Sequence, residues 1–374
     1  MSYAITYFYH ALTTYILSIY TDNRNGILKP VLRLWTFLEL SLRAISIFAT
    51  RMFNRAFVWL FCVQMKEDYV MKLWHYALIV FLGGCCYGVL STFVKLAYAA
   101  GFSVTEVTGS QYMFGALLTW IVVIFTRRKT LTFRPTLKLL LSGIPFGLTG
   151  IFYYQSLQTL NASLAIIFLF QFVWIGTLFE WIFYKRKPTI AKLISIGILL
   201  VGSGLAANMV AQERVVLTWQ GCVWGMLAAL TFTTFIFLSS AVERNAPPIL
   251  KSALLATGGM LTVFAVFPPA FLLNPPVLLE LAPYGLMLGF FGVVLPPLLF
   301  SIGMPHVGPG LGTILTASEL PVAVFMSSLV LAEQVGWPQW LGVALILGGI
   351  IGGNARQIIM KKSAVFTHNS SSAT

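Results

Sequence analysis

The chain has 374 residues, of which 58% are hydrophobic and only 9% charged, against about 25% charged for ordinary soluble domains. That composition excludes a soluble globular protein and requires a membrane one. The formal charge of +13 would suit a nucleic acid, but the basic residues sit between long apolar runs, where they orient a chain in the bilayer rather than read DNA.

Residues 1–70 stand apart. "MSYAITYFYHALTTYILSIY" is apolar enough for one short span, yet Arg24, Lys29, Arg33, Arg43, Arg51 and Arg55 follow too closely for a second. The charges come after the apolar run and no small-residue cleavage site is clear, so the segment does not read as a cleavable signal. It is read as an N-terminal appendage or an overcalled start, because Met71 opens "MKLWHYALIVFLGG" in the manner of a natural beginning.

From Lys72 onward, apolar runs of about 20 residues recur, each long enough to cross a hydrocarbon core about 30 Å thick. The expected spans are 73–99, 105–126, 136–158, 161–184, 190–210, 219–241, 249–273, 283–304, 310–332 and 338–359, followed by a disordered polar tail over 363–374. Placing residue 72 in the cytoplasm and alternating sides puts Lys72, Arg127–Lys129, Arg134, Lys138, Lys185–Lys187, Lys192, Arg244, Lys251, Arg356, Lys361 and Lys362 inside. Only Arg214 and Lys95 fall outside, so both ends of the core are expected to be cytoplasmic. Cys62, Cys85, Cys86 and Cys222 show neither metal-ligand nor redox spacing and read as small buried hydrophobes. There is no GxxxxGK[ST] loop and no cluster of His, Asp or Ser, so neither a nucleotide motor nor a catalytic centre is expected. No cofactor or metal site is expected either.

An internal repeat organises these spans. Residues 161–202 laid over 308–349 match in loop and helix length, although only four aligned pairs, Leu164/Leu311, Ile167/Ile314, Leu200/Leu347 and Gly202/Gly349, are identical. Two units are expected, 71–210 and 211–362. With five spans each, an odd number, the second must enter the membrane from the opposite side. The expected fold is therefore an all-α integral membrane protein of ten transmembrane helices, built as two inverted five-helix repeats, a common construction of secondary transporters.

The stretch "SELPVAVFMSSLVLAEQVGWPQWLGVALILGGI" (318–350) resembles the end of an EamA-type domain of the drug/metabolite transporter superfamily. The likeness lies in Glu319 just before Pro321, an apolar helix ending at Glu333, the turn around Gly336 to Gln339, and the Gly-rich last helix with Gly342, Gly348 and Gly349. It extends over about 71–360. The first half departs from the pattern, with Gln171, Trp174 and Arg186 in the positions of Ser318, Pro321 and Glu333. The resemblance implies a cytoplasmic (inner) membrane exporter or exchanger of small metabolites or drugs.

Glu319 is the principal candidate site residue, because it is the one charge between Leu311 and Ala332 and a carboxylate at mid-membrane costs about 2.5–3.5 kcal/mol on the insertion scale. It is expected to meet a substrate ammonium or to act as a protonatable switch. The alternative is local: Pro321 removes a backbone hydrogen bond, and Glu319 could serve the freed carbonyl of Ala317. Thr316 shares its expected helical face. Gln171, Tyr87 and Tyr154 are the further candidates for substrate binding, each with helix packing as its alternative. Pro145 and the pair Pro296–Pro297 are expected to break spans three and eight and to act as gates. Lys95 reads as a snorkelling lysine, Glu333 as a solvated or loop-pairing residue, and Glu180 as a local partner of Lys185–Lys187.

The expected function is secondary transport of an amino-acid-like or lipophilic small molecule by alternating access, with the lipid bilayer as environment, protons as a coupling ion and a homodimer as a form it could take. Few basic residues lie deep in the spans, which disfavours phosphorylated substrates. A sensor or assembly scaffold without transport activity is the alternative.

Overall fold

The computed structural model describes residues 73–126, 131–160, 162–185, 187–207, 218–330 and 334–352, all within one compact unit, Met71–Thr374. The expected extension 1–70, the polar tail, Glu333 and the basic residues Lys72, Arg127–Lys129, Arg186, Arg214, Arg356, Lys361 and Lys362 lie outside the described residues. No strand occurs among those described. The helices are α1 (Leu73–Ala99), α2 (Val104–Phe125), α3 (Phe133–Ser142), α4 (Ile144–Thr159), α5 (Ala162–Phe170), α6 (Phe172–Tyr184), α7 (Ile190–Ala206), α8 (Trp219–Ala241), α9 (Pro248–Val266), α10 (Pro275–Gly289), α11 (Leu295–Val307), α12 (Pro309–Thr316), α13 (Glu319–Val330) and α14 (Trp337–Gly352).

Eight helical stretches are long and apolar enough to cross a membrane: α1, α2, α3–α4, α5–α6 from Leu164, α8, α9, α10–α11 and α12–α13. The other two expected spans appear as shorter apolar helices, α7 and α14. Local chemistry explains the boundaries. Ser103 and Glu106 form a reciprocal capping box that starts α2. The expected seventh span stops early, at Val266, because Pro268 and Pro269 follow and a short 3-10 turn, Ala270–Leu273, replaces its last residues.

Four spans are interrupted, and the interruptions repeat. Span three breaks at Gly143 and span eight at the π-turn Phe290–Val294; span four breaks at Gln171 and span nine at Ala317–Ser318. Residues 143 and 290, like 171 and 318, stand 147 apart, the same displacement that aligns 161–202 with 308–349. Ile190 and Trp337, which open α7 and α14, obey it too. Shared break positions are independent of hydropathy, so they support internal repetition where four identities could not.

The halves interlock. α8 packs on α4, α11 and α13 on α1, and α9 and α10 on α2. Lys138, Lys185, Lys187, Lys192, Arg244 and Lys251 all lie near helix ends on one side of the chain path, hereafter the basic end. There Lys251, 1% exposed, donates from Nζ to the carbonyls of Ser239 and Val242 at 2.7 Å, closing the C-terminus of α8. Lys138 of the first half meets Glu243 of the second at 3.5 Å. Glu180 pairs with Lys192 of the next helix, a correction to its expected pairing with the Lys185–Lys187 loop.

Candidate functional site

α13 crosses α1 closely because α1 presents Gly84 and Gly88, one turn apart. A side chain on Gly84 would strike Ser318 and the Thr316 backbone; one on Gly88 would strike the Glu319 carbonyl and lie 2.7 Å from Val322 Cβ. Small residues at this spacing let two helix backbones touch. Ser318 Oγ donates to the Phe81 carbonyl at 2.7 Å and ties the break in span nine to α1.

The break positions Glu319. α12 ends at Thr316 and α13 begins at Glu319, so Pro321 occupies a first-turn position where its missing N–H leaves no acceptor unserved. The Ala317 carbonyl accepts instead from Leu320 N–H at 3.4 Å. The turn also separates faces that a continuous helix would share. Glu319, Ala323 and Ser327 line a central cavity, whereas Thr316 is fully buried and donates its hydroxyl to Gly312 O at 2.8 Å.

That cavity has a volume of about 370 Å³, within the range of small-molecule pockets. It runs from Glu319 and Tyr87 at mid-bundle to the end opposite the basic one, where Tyr98, Leu157, Ala206 and Gln339 border it. Toward the basic end it is floored by aromatic rings. Phe232 lies edge-on to Tyr87 at 5.5 Å and to Phe172 at 5.0 Å, and Phe300, fully buried, closes behind Tyr87 at 6.0 Å.

Glu319 and Lys95 are the charged residues among those lining it. The Glu319 carboxylate makes no hydrogen bond or ion pair among the described residues; Tyr87 and Tyr153 are its electrostatic neighbours. Three hydroxyls on the wall, those of Tyr87, Thr92 and Tyr98, are buried without a hydrogen-bond partner among the described residues. Each such group costs about 1–3 kcal/mol if nothing else satisfies it.

Of the expected residues, Glu319, Tyr87 and Tyr154 come together at this cavity, and Gln171 and Thr316 do not line it. Gln171 spends its amide locally, donating to Ile167 O at 2.9 Å and accepting from Trp174 Nε1 at 2.7 Å. Pro145 follows the Gly143 break, and Pro296–Pro297 open α11 just after the π-turn. All three prolines thus stand at the starts of helices, beside the breaks rather than inside a continuous helix. Gln111 was not foreseen: its Oε1 accepts from Tyr154 Oη at 2.8 Å, and both residues line the wall. Tyr154→Phe would leave that buried acceptor unmet. It is expected to cost about 1–3 kcal/mol, read as a lowered Tm of the purified protein in detergent. The missed signal on α1 is a polar stripe, Tyr87, Ser91, Lys95 and Tyr98, spaced four, four and three along an apolar helix.

Stacked helices of spanning length, repeated breaks and a central pocket define a multi-pass helical membrane protein with internal repetition. The model of the EamA-like transporter family matches residues 74–207 and again 219–354. The chain therefore belongs to the EamA-like transporter family, within the drug/metabolite transporters. A protein of known crystal structure superposes with a TM-score of 0.59 at 13% identity, covering 75% of this chain and 98% of that one; at that identity the likeness is one of fold. The search of curated proteins gave no match.

Proposed function

We propose that this chain is a secondary carrier that moves an ammonium-bearing small molecule, amino-acid-like or a lipophilic cation, by alternating access between two inverted five-helix halves. The observation that carries the reading is a carboxylate, Glu319, held at mid-bundle without a hydrogen-bond or ion-pair partner among the described residues, on the wall of a cavity that also offers three hydroxyls unpartnered among them. A charge so placed is costly in lipid and is retained where it meets a substrate or a proton. The surrounding Tyr and Phe rings suit the apolar body of such a molecule and attract its cation.

The positive-inside rule makes the basic end cytoplasmic, so the cavity faces outward and the aromatic floor is the closed gate. The breaks beside Pro145 and Pro296–Pro297 in spans three and eight are the points at which the halves flex. In this reading the chain exports its substrate across the cytoplasmic membrane in exchange for protons carried by Glu319; the family of transporters and the placement of this carboxylate support it.

Counterflow in liposomes tests the proposal. Purified protein preloaded with unlabelled amines and amino acids is expected to take up at least one labelled member of the panel in a saturable way. Failure across a broad panel of ammonium compounds would sink the carrier reading in favour of a scaffold.

A further inference from the structure

At the basic end, the two sequence halves meet through a contact in which the cavity has no part. Glu180 in α6 and Lys192 in α7 form an ion pair whose side chains are 18% and 6% exposed. Thr189 sets the lysine in place by capping α7, its hydroxyl accepting the Lys192 N–H at 3.3 Å. The carboxylate lies against Gly310, in the first turn of α12 in the other half, so closely that any side chain there would overlap it. One turn away, Gly176 of α6 receives the Thr313 side chain of α12 in the same manner. The first turn of a helix carries unpaired N–H groups and the positive end of the dipole, which favours a carboxylate.

We propose that Glu180 and Lys192 are positioning residues of the transport cycle: a polar latch that holds α12, and through it Glu319, and that must part for the basic end to open. The inference rests on the alternating-access reading above. α12 has eight residues, so it is a rigid rod about 12 Å long. Its first turn lies under the latch, and its last residue leads through Ala317–Ser318 directly to Glu319. A latch built of charges is suited to reversible opening. Closing it strips water from both ions, and opening it returns that hydration, so the closed and open states stay near one another in free energy. A tightly packed apolar contact would have no such compensation and would stay shut.

Two perturbations should therefore act in opposite directions. The readout is the alkylation rate of Thr313→Cys, a fully buried position, in full-length protein with Cys62, Cys85, Cys86 and Cys222 replaced by Ala, reconstituted in liposomes and treated with N-ethylmaleimide. Glu180→Ala leaves Lys192 buried without its counter-ion and is expected to speed alkylation about tenfold. Gly310→Ala keeps both charges but drives them from their seat, so it should act in the same direction and carries the test if Glu180→Ala does not fold. The neutral pair Glu180→Leu with Lys192→Met should slow alkylation below the background rate. Equal rates in all variants, or a neutral pair that alkylates as fast as Gly310→Ala, would overturn the latch. Counterflow by the background protein is measured in the same liposomes. Its loss would count against the carrier reading, while opposed alkylation shifts would still establish the latch, so the two failures are distinguishable.

Discussion

Glu319→Gln is expected to raise the half-saturation concentration for an ammonium substrate about tenfold to a hundredfold. That range corresponds to losing a hydrogen bond to a charged group worth about 1.5–3 kcal/mol. The substitution preserves shape and leaves an amide that can still fill the cavity wall, so folding should be little affected. It removes both the negative charge and the exchangeable proton. In liposomes, an imposed pH gradient should drive accumulation by the wild type and fail to drive it in Glu319→Gln, while exchange of labelled for unlabelled substrate continues at reduced affinity. An unchanged substrate affinity together with an unchanged response to the gradient would remove Glu319 from the mechanism. It would leave only the packing of α13 to explain the residue.

The second large effect is steric. Gly88→Leu places a branched side chain where the Glu319 carbonyl, Val322 and the Ala323 N–H now meet α1. Neither backbone can yield without moving the other, because Ser318 is hydrogen-bonded to Phe81, about two turns from Gly88 along α1. Overpacking in well-packed interiors costs about 1–3 kcal/mol and more where backbone is struck. We expect a Tm lowered by many degrees and transport lost with it. The control is Gly197→Leu, on α7, where nothing lies within 4 Å of an added Cβ. A Gly88→Leu protein as stable and active as Gly197→Leu would mean that α13 does not ride on α1 as described.

The order and approximate extents of the helices were readable from the sequence because each span must satisfy its own backbone within lipid. That requirement forces a long uninterrupted apolar run, visible without any partner. Glu319 was readable for the same reason, since a lone charge in such a run has a cost that only function or pairing offsets. The repeat showed in spacing, because one helical unit used twice imposes matched loop lengths even when residues diverge.

What the sequence left open depended on contacts between distant segments. The partners of Gln111 and Glu180 are set by how helices cross, and side-chain identity along one helix does not encode a crossing. The turn at Ala317–Ser318 likewise rotates Thr316 away from the face of Glu319, and a periodicity computed along a continuous helix cannot anticipate a change of phase. The sequence by itself determined that the chain lives in a membrane and carries one costly acid in the apolar stretch between Leu311 and Ala332. Only the packing of α13 on the glycines of α1 decided that this acid faces a cavity, because in a bilayer apolar faces are nearly equivalent and close backbone approach selects among them.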